Sequence, residues 1–206
     1  MSIYFWPGGS FRVADNSVDL RVKSEAEELY NKGKYKKALP KFVKIVESDP
    51  DDNHVRGLLA GSYMLSGKLE KAIEQYKSIL ETEPGDAETR YKLGILLRQV
   101  GRDDQAIAEL KKAAKQKPSQ QFLSELAKTY AQKDQLEKAV SSWRKALKLA
   151  AGNTRAKVSI YTDMGDAYIR TENRGKAEAA YRSGLRLDPE NGYLKTKLSE
   201  FELKEE

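Results

Sequence analysis

Few of the side chains that carry out chemistry occur in this sequence. It contains one histidine, His54, and no cysteine, so a thiol nucleophile and a thiolate metal site are both excluded. His54 follows Asp51 and Asp52 and could contact a metal at the surface, but a lone histidine beside acids is more often a solvated polar residue. No phosphate-binding loop, paired-carboxylate pocket or nucleophile motif is present. We therefore predict no catalytic residue, no metal and no cofactor, and expect a protein that is not an enzyme.

Basic residues are the second chemical feature, and they are concentrated in the middle of the chain. The net charge of the 206 residues is +6, and residues 87–153 alone carry +7. Such a region can attract an acidic protein, RNA or an anionic membrane surface. Nucleic-acid binding usually also needs exposed aromatic side chains between the cations, and the pattern places none there. The favoured interpretation is a solubilising helical surface formed by Lys111, Lys112, Lys115, Lys117, Lys138, Arg144, Lys145 and Lys148.

The composition excludes several classes of protein. With 39% hydrophobic and 33% charged residues, the chain is too apolar for a disordered protein and too polar for a membrane protein. Its longest apolar stretch, residues 57–65, is about half as long as a transmembrane helix. The first nine residues have no basic residue before a short apolar run, so no secretory signal is predicted. We expect no transmembrane segment and a cytoplasmic location.

A repeat of 34 residues organises the chain and must position these side chains. Pro50, Pro84 and Pro118 are each 34 residues apart. Small residues recur in the same register at Ala26, Ala60, Gly94, Ala127 and Gly165, and again twelve residues later at Ala38, Ala72, Ala106, Ala139 and Ala177. A large residue follows four positions further on, at Phe42, Tyr76, Leu110, Trp143 and Tyr181. Small side chains allow two amphipathic helices to cross closely, so the pattern predicts helix pairs with Trp143 in the core.

The connections inside the predicted pairs are less regular than the crossings. Gly33, Gly67 and Gly101 separate the two helices of the first three pairs, because glycine ends a helix in a left-handed conformation at low cost. Asp134 and Glu172 stand at the corresponding places of the last two pairs. Further departures are Pro40, early in one predicted second helix, and four additional residues, 154–157.

This pattern resembles the tetratricopeptide repeat (TPR), a helix–turn–helix unit of 34 residues. Five units are identified, at residues 19–52, 53–86, 87–119, 120–153 and 158–191. The resemblance implies an all-α, right-handed α-solenoid that acts as a non-catalytic adaptor for protein partners. Residues 192–206 are predicted to form a helix that caps the last unit, since Leu194, Leu198 and Phe201 share one apolar stripe.

The resemblance also implies which side chains line the concave groove of the solenoid. They include Lys23, Glu27, Tyr30, Gly57, Gly61, Met64, Leu65, Tyr91, Ile95, Arg98, Lys128 and Asp166. The glycines and apolar residues of units two and three predict a slot for an apolar anchor on a partner peptide or helix. Arg98 and Lys128 would then meet an acidic group beyond it. Alternatively, Met64 and Leu65 contact neighbouring repeats, and Gly57 only eases packing.

One well-known TPR subtype clamps the terminal carboxylate of chaperones. The positions that would form this clamp hold Lys23, Glu27, Leu58, Glu88 and Lys92. Glu27 and Glu88 would repel a carboxylate, so the chaperone clamp is not predicted.

Residues 1–18 do not follow the repeat and are rich in aromatic side chains, namely Tyr4, Phe5, Trp6 and Phe11. Burying these side chains is worth on the order of 2 kcal/mol each, so we expect them to dock somewhere. They could cap the first unit, occupy the groove of the same chain or contact another subunit. The last hypothesis gives an alternative function: a scaffold that forms a homo-oligomer or joins a larger complex through this segment.

Overall fold

The computed structural model describes residues 16–202, with side chains from residue 20 to residue 201. This range contains eleven α-helices and no strand. They are α1 (Asn16–Asn31), α2 (Tyr35–Ser48), α3 (Asn53–Leu65), α4 (Leu69–Thr82), α5 (Ala87–Gln99), α6 (Asp103–Gln116), α7 (Gln120–Gln132), α8 (Leu136–Leu149), α9 (Thr154–Arg170), α10 (Arg174–Leu187) and α11 (Gly192–Glu202). The predicted all-α fold class is confirmed.

The helices belong to two compact units. The first ends at Thr82 and contains α1–α4, and the second begins at Glu83 and contains α5–α11. Within the units, α1 packs on α2, α3 on α4, α5 on α6, α7 on α8 and α9 on α10. These five pairs are the ones that the sequence repeat predicts.

Small residues lie where the helices of each pair cross. The alanines of the second series, Ala38, Ala72, Ala106, Ala139 and Ala177, are all completely buried. A methyl group on Gly94 would lie 2.6 Å from Leu110 Cγ, and one on Gly165 would lie 2.2 Å from Tyr181 Cε1. Both distances are too short for carbon atoms, so these crossings require glycine. Trp143 exposes only 1% of its surface, which confirms its predicted place in the core.

The turns inside the pairs share one backbone conformation. Gly33, Gly67 and Gly101 have φ angles of 70°, 75° and 77°. Asp134 and Glu172 adopt the same left-handed conformation, with φ angles of 55° and 56°. The two departures from the glycine pattern therefore preserve the turn, at the steric cost that a side chain adds in this region.

The end of the second unit also follows the pattern. The four additional residues 154–157 extend the start of α9, which has 17 residues where α5 and α7 have 13. In α11, Leu194 is completely buried and Phe201 packs edge-on against Tyr181, with 6.2 Å between the ring centres. This helix covers the apolar side of the last pair, as predicted for a cap.

Candidate functional site

The first helices of successive pairs touch one another in both units. In the first unit α1 contacts α3, and in the second unit α5 contacts α7 and α7 contacts α9. The second helices reach the next pair through its first helix, since α6 packs on α7 and α8 on α9. We call the surfaces formed by α1 and α3, and by α5, α7 and α9, the first-helix surfaces; they carry the groove residues predicted from sequence.

Charged groups on the first-helix surface of the first unit are paired. Lys23 Nζ donates a hydrogen bond to Asp52 Oδ2 at 2.6 Å, and Asp52 also accepts one from the Val55 backbone N–H at the start of α3. Burial raises the pKa of Asp52, but the hydrogen bonds and the Lys23 charge lower it further, and the sum is a pKa below the usual value. Glu27 Oε1 lies 3.4 Å from His54 Nε2. The lone histidine therefore contacts an acidic side chain.

Tyr30 and Gly61 form a close contact on the same surface. A methyl group on Gly61 would lie 2.8 Å from the Tyr30 hydroxyl oxygen, so a larger residue would displace the hydroxyl end of this side chain. Tyr30 also packs edge-on against Tyr35 at 5.3 Å, and burial raises the pKa of its hydroxyl. A methyl on Gly57, by contrast, would meet Ile79 Cδ1 at an ordinary 4.0 Å.

Met64 and Leu65 end α3 next to this contact. Met64 is partly exposed and Leu65 exposes 49% of its surface. Exposed apolar side chains at the end of a first helix can receive an apolar group from a partner. Their predicted peptide-binding role stays a prediction.

Tyr91 and Ile95, the predicted anchors on α5, contribute mainly to the core of the second unit. Tyr91 exposes only 7% of its surface, and its ring stacks on Phe122 with 4.6 Å between centres. Ile95 is partly buried and packs against the same core. A side chain that is already surrounded offers little apolar area to a partner, so any peptide contact at Tyr91 is limited to the edge of its ring.

The predicted cations of the second unit have carboxylate partners within the chain. Arg98 Nε donates a hydrogen bond to Glu125 at 2.8 Å, and Lys128 Nζ lies 3.1 Å from Asp163 Oδ2. This Asp163 oxygen is buried without a well-aligned hydrogen bond. Burial raises the pKa of Asp163, and the attraction of Lys128 only partly opposes that shift.

Asp166 completes the series of polar contacts along this surface. It accepts hydrogen bonds from the hydroxyl groups of Tyr181 at 2.7 Å and Tyr193 at 2.8 Å. Tyr193 is 48% exposed, and its pKa is raised to about 12 by burial and by the Asp166 carboxylate. The first-helix surface of the second unit is thus a row of internally paired polar groups, Arg98 with Glu125, Lys128 with Asp163, and Asp166 with the two tyrosines.

Sequence reasoning missed three members of this row: Glu125, Asp163 and Tyr193. Glu125 and Asp163 are both the sixth residue of their predicted repeat units, which begin at 120 and 158. Because this position directly follows an expected groove position, the repeat register could have identified both residues. Tyr193 lies on the capping helix and could not be found from the repeat.

Other predicted features fall outside the site. Tyr4, Phe5, Trp6 and Phe11 lie outside the described residues, so the three hypotheses for residues 1–18 stay predictions. Among residues 16–202, no helix is both long and apolar enough to cross a membrane. The same part of the chain has no group of three acidic or histidine side chains arranged to hold a metal ion.

A chain of consecutive helix pairs with small residues at every crossing is an α-helical repeat protein. The tetratricopeptide repeat profile matches residues 29–88, 64–129, 121–153 and 158–191, which is most of the sequence. The chain therefore belongs to the TPR family, whose fold is a protein–protein interaction module.

Solved structures with the same fold are numerous. A crystal structure of MamA protein superposes with a TM-score of 0.76 at 21% identity, covering 86% of this chain and 96% of that chain. MamA from Desulfovibrio magneticus RS-1 superposes with a TM-score of 0.76 at 15% identity, covering 84% of this chain and 97% of that chain. YrrB, described as a TPR protein with an unusual peptide-binding site, superposes with a TM-score of 0.69 at 18% identity, covering 84% of this chain and 87% of that chain. These identities establish the fold alone. No curated protein sequence gives a significant match.

Proposed function

We propose that this protein is a non-catalytic adaptor that binds a peptide or a helix of a protein partner on its first-helix surfaces. The observation that carries the proposal is the row of paired polar groups on α5, α7 and α9. These groups are held in place by contacts within the chain, so a partner meets a preorganised surface and loses less entropy on binding.

The charges of the row determine which partner it suits. Since Arg98 and Lys128 each already contact a carboxylate, a purely acidic ligand would have to compete with Glu125 and Asp163. A segment that offers donors and acceptors of both signs can instead bridge the existing pairs. In the first unit, the half-exposed Leu65 and its neighbour Met64 suit an apolar side chain of the same partner or of another one.

Likeness to a known peptide-binding TPR protein also supports the proposal. YrrB has the same fold and is described as having a peptide-binding site. With 18% identity, this likeness supports a mode of binding and does not identify a ligand.

Peptide selection on the immobilised full chain tests the proposal. Peptides enriched from a random display library should lose affinity, by about fivefold or more, for the variant Lys128→Gln with Asp163→Asn. This double variant removes one charge of each sign with little change in shape. Fluorescence anisotropy with labelled peptides gives the affinities, and thermal unfolding checks that the variant folds.

The matched control is Lys44→Gln with Glu47→Gln, which also removes one charge of each sign but lies on α2. Its affinity for the selected peptides should equal that of the wild type. Peptides that bind the wild type and the Lys128/Asp163 variant equally well, or that lose affinity only for the control, would contradict a binding site on the first-helix surface.

A further inference from the structure

A recess of about 950 Å³ opens between α6 and α8, away from the groups that form the first-helix surface. Its floor includes Leu123, Leu126 and Tyr130 of α7, whereas Glu125 and Lys128 of the same helix lie on the first-helix surface. Ala108 and Ala114 line the side formed by α6, and Ser141 and Ser142 line the side formed by α8. We call this recess the second-helix furrow.

In the two preceding pairs, an arginine occupies the place that corresponds to the furrow floor. Arg56 of α3 donates hydrogen bonds to Gln75 Oε1 at 3.0 Å and to the Pro50 carbonyl at 2.6 Å. Arg90 of α5 donates to Glu109 Oε2 at 2.6 Å and to the Pro84 carbonyl at 2.8 Å. The same contact, from a first helix to its second helix and to the preceding proline, thus occurs twice.

The pair formed by α7 and α8 lacks these side chains. Arg56 and Arg90 are the fourth residues of their helices, and the fourth residue of α7 is Leu123. Gln75 and Glu109 come three residues after the buried alanines of α4 and α6, and the corresponding residue of α8 is Ser142. A leucine and a serine replace a long, hydrogen-bonded pair, and both of them line the recess together with Pro118.

The rim of the furrow is basic. Five lysines line it, Lys111, Lys112, Lys115, Lys138 and Lys145, together with a single acidic residue, Glu137. Lys112 donates a hydrogen bond to Glu109 at 2.8 Å, and Lys138 donates one to Gln135 at 2.9 Å. Within the described part of the chain, Lys111, Lys115 and Lys145 have no hydrogen-bond or ion-pair partner. They are available to carboxylates from outside.

We propose that the second-helix furrow binds an acidic amphipathic helix of a protein partner. An apolar side chain of that helix would lie on Leu123 between Ala108 and Ala114, and carboxylates on either side of its apolar stripe would meet Lys111, Lys115 and Lys145. The combination of an apolar floor with a charged rim is the arrangement that a helix bound in a groove uses. Opposite charges at the rim also speed association and orient the partner.

The floor of the furrow argues against the two other anionic partners. RNA bases need exposed aromatic rings on which to stack, but Tyr130 exposes only 8% of its surface and Lys138 Nζ lies 5.7 Å from the centre of its ring. A bilayer presents a broad layer of headgroups, which could contact the lysines of the rim but not Leu123 at the floor between α6 and α8.

The test uses the full chain and two designed peptides of about 16 residues, long enough to sustain a helix. The first has a stripe of leucines flanked by glutamates, and the second has the same glutamates with serines in place of the leucines. Labelled peptides are titrated with protein and followed by fluorescence anisotropy. We expect the leucine peptide to bind at least about tenfold more tightly than the serine peptide.

Two variants locate the binding. Leu123→Arg with Ser142→Glu rebuilds the pair that Arg90 forms with Glu109, fills the furrow without changing net charge, and should weaken binding of the leucine peptide about tenfold or more. Lys111→Glu with Lys115→Glu should weaken it by a similar factor and keeps the test decisive if the first variant fails to fold. The matched control, Lys36→Glu with Lys37→Glu on α2, makes the same change of charge and should bind like the wild type.

The proposal is overturned by any of four results: no binding of the leucine peptide, equal binding of both peptides, an undiminished affinity in the folded variant with a filled furrow, or an equal loss in the α2 control. Single-stranded RNA and vesicles of phosphatidylcholine with phosphatidylserine are titrated in parallel. If either binds in a way that depends on Lys111 and Lys115 while the leucine peptide does not, the furrow serves that partner instead.

Discussion

On the first-helix surface of the second unit, Arg98 lies against Glu125 and Lys128 against Asp163, whereas in the second-helix furrow Lys111, Lys115 and Lys145 face solvent beside an apolar floor. The difference follows from burial. The side chains of Glu125 and Asp163 are 13% and 24% exposed, and a charge removed from water needs a nearby partner of opposite sign. Lysines at the rim keep their hydration and need no partner.

The two surfaces would therefore recognise their ligands in different ways. A ligand on the first-helix surface must fit existing ion pairs, so shape and hydrogen bonding would decide its affinity. A ligand in the second-helix furrow would supply the missing charges, so its binding would depend strongly on ionic strength.

Tyr91 marks the boundary between the first-helix surface and the core. Because Tyr91 is 7% exposed and stacks on Phe122, Tyr91→Ala should lower the free energy of unfolding by about 3 to 5 kcal/mol. Denaturant unfolding measures this change. Tyr91→Phe keeps the ring and is the control, with an expected cost of about 1 kcal/mol or less. A small loss for Tyr91→Ala would mean that the ring belongs to the binding surface.

Glu109 is part of the hydrogen-bonded contact that, in the pair formed by α5 and α6, fills the position corresponding to the furrow. Glu109→Gln should cost about 2 kcal/mol, since it weakens hydrogen bonds from Arg90 and Lys112 at 2.6 and 2.8 Å. Burial raises the pKa of Glu109, but these two partners lower it further, and the folded value lies below the usual 4.5. The stabilisation from Glu109 is therefore present above pH 4.5 and is lost as the pH falls through the lowered pKa.

Urea unfolding as a function of pH checks this prediction. The wild type should lose stability relative to Glu109→Gln as the pH falls below the pKa of a free glutamate side chain. In the first unit, Arg56 already pairs with the amide of Gln75, so the variant should fold. A pH-independent difference would show that the carboxylate charge of Glu109 does not matter to this contact.

Glu172 lies in the turn between α9 and α10 and contributes to neither the first-helix surface nor the second-helix furrow. Glu172→Gly should raise the free energy of unfolding by about 0.5 to 1 kcal/mol, because it relieves the left-handed conformation at φ 56° but leaves the unfolded chain more flexible. Thermal unfolding measures the gain. Glu172→Ala keeps the Cβ and is the matched control, for which no comparable gain is expected.

Asp163 should show the smallest effect and the opposite pH dependence from Glu109. Burial raises its pKa above the usual 3.8, so wild-type stability should fall as the pH rises from 3.8 through the raised value. Asp163→Asn removes this dependence and should be slightly more stable than the wild type at neutral pH. If the variant is instead less stable there, the attraction of Lys128 outweighs the cost of burying the carboxylate.

Much of the fold could be predicted because each repeat position has one local physical requirement. A close helix crossing accepts only alanine or glycine, as at Ala139 and Gly165, and the wedge beside it requires a large side chain such as Trp143. These constraints act between residues of one helix pair, so they appear in the sequence at a constant spacing. The chemically different turn residues Asp134 and Glu172 were also correctly placed by spacing alone.

The candidate sites were less predictable, because they depend on side chains from different pairs. The sequence alone determined the helix pairs, their crossings, the capping helix and the presence of a basic middle region. Only the tertiary structure showed that Arg98 and Lys128 are paired with carboxylates and that Tyr91 is buried. It also showed that Leu123 and Ser142 leave an apolar recess beneath the lysines. Periodicity reports what each helix must bury, whereas pairing and cavities depend on which side chains meet after the helices have packed.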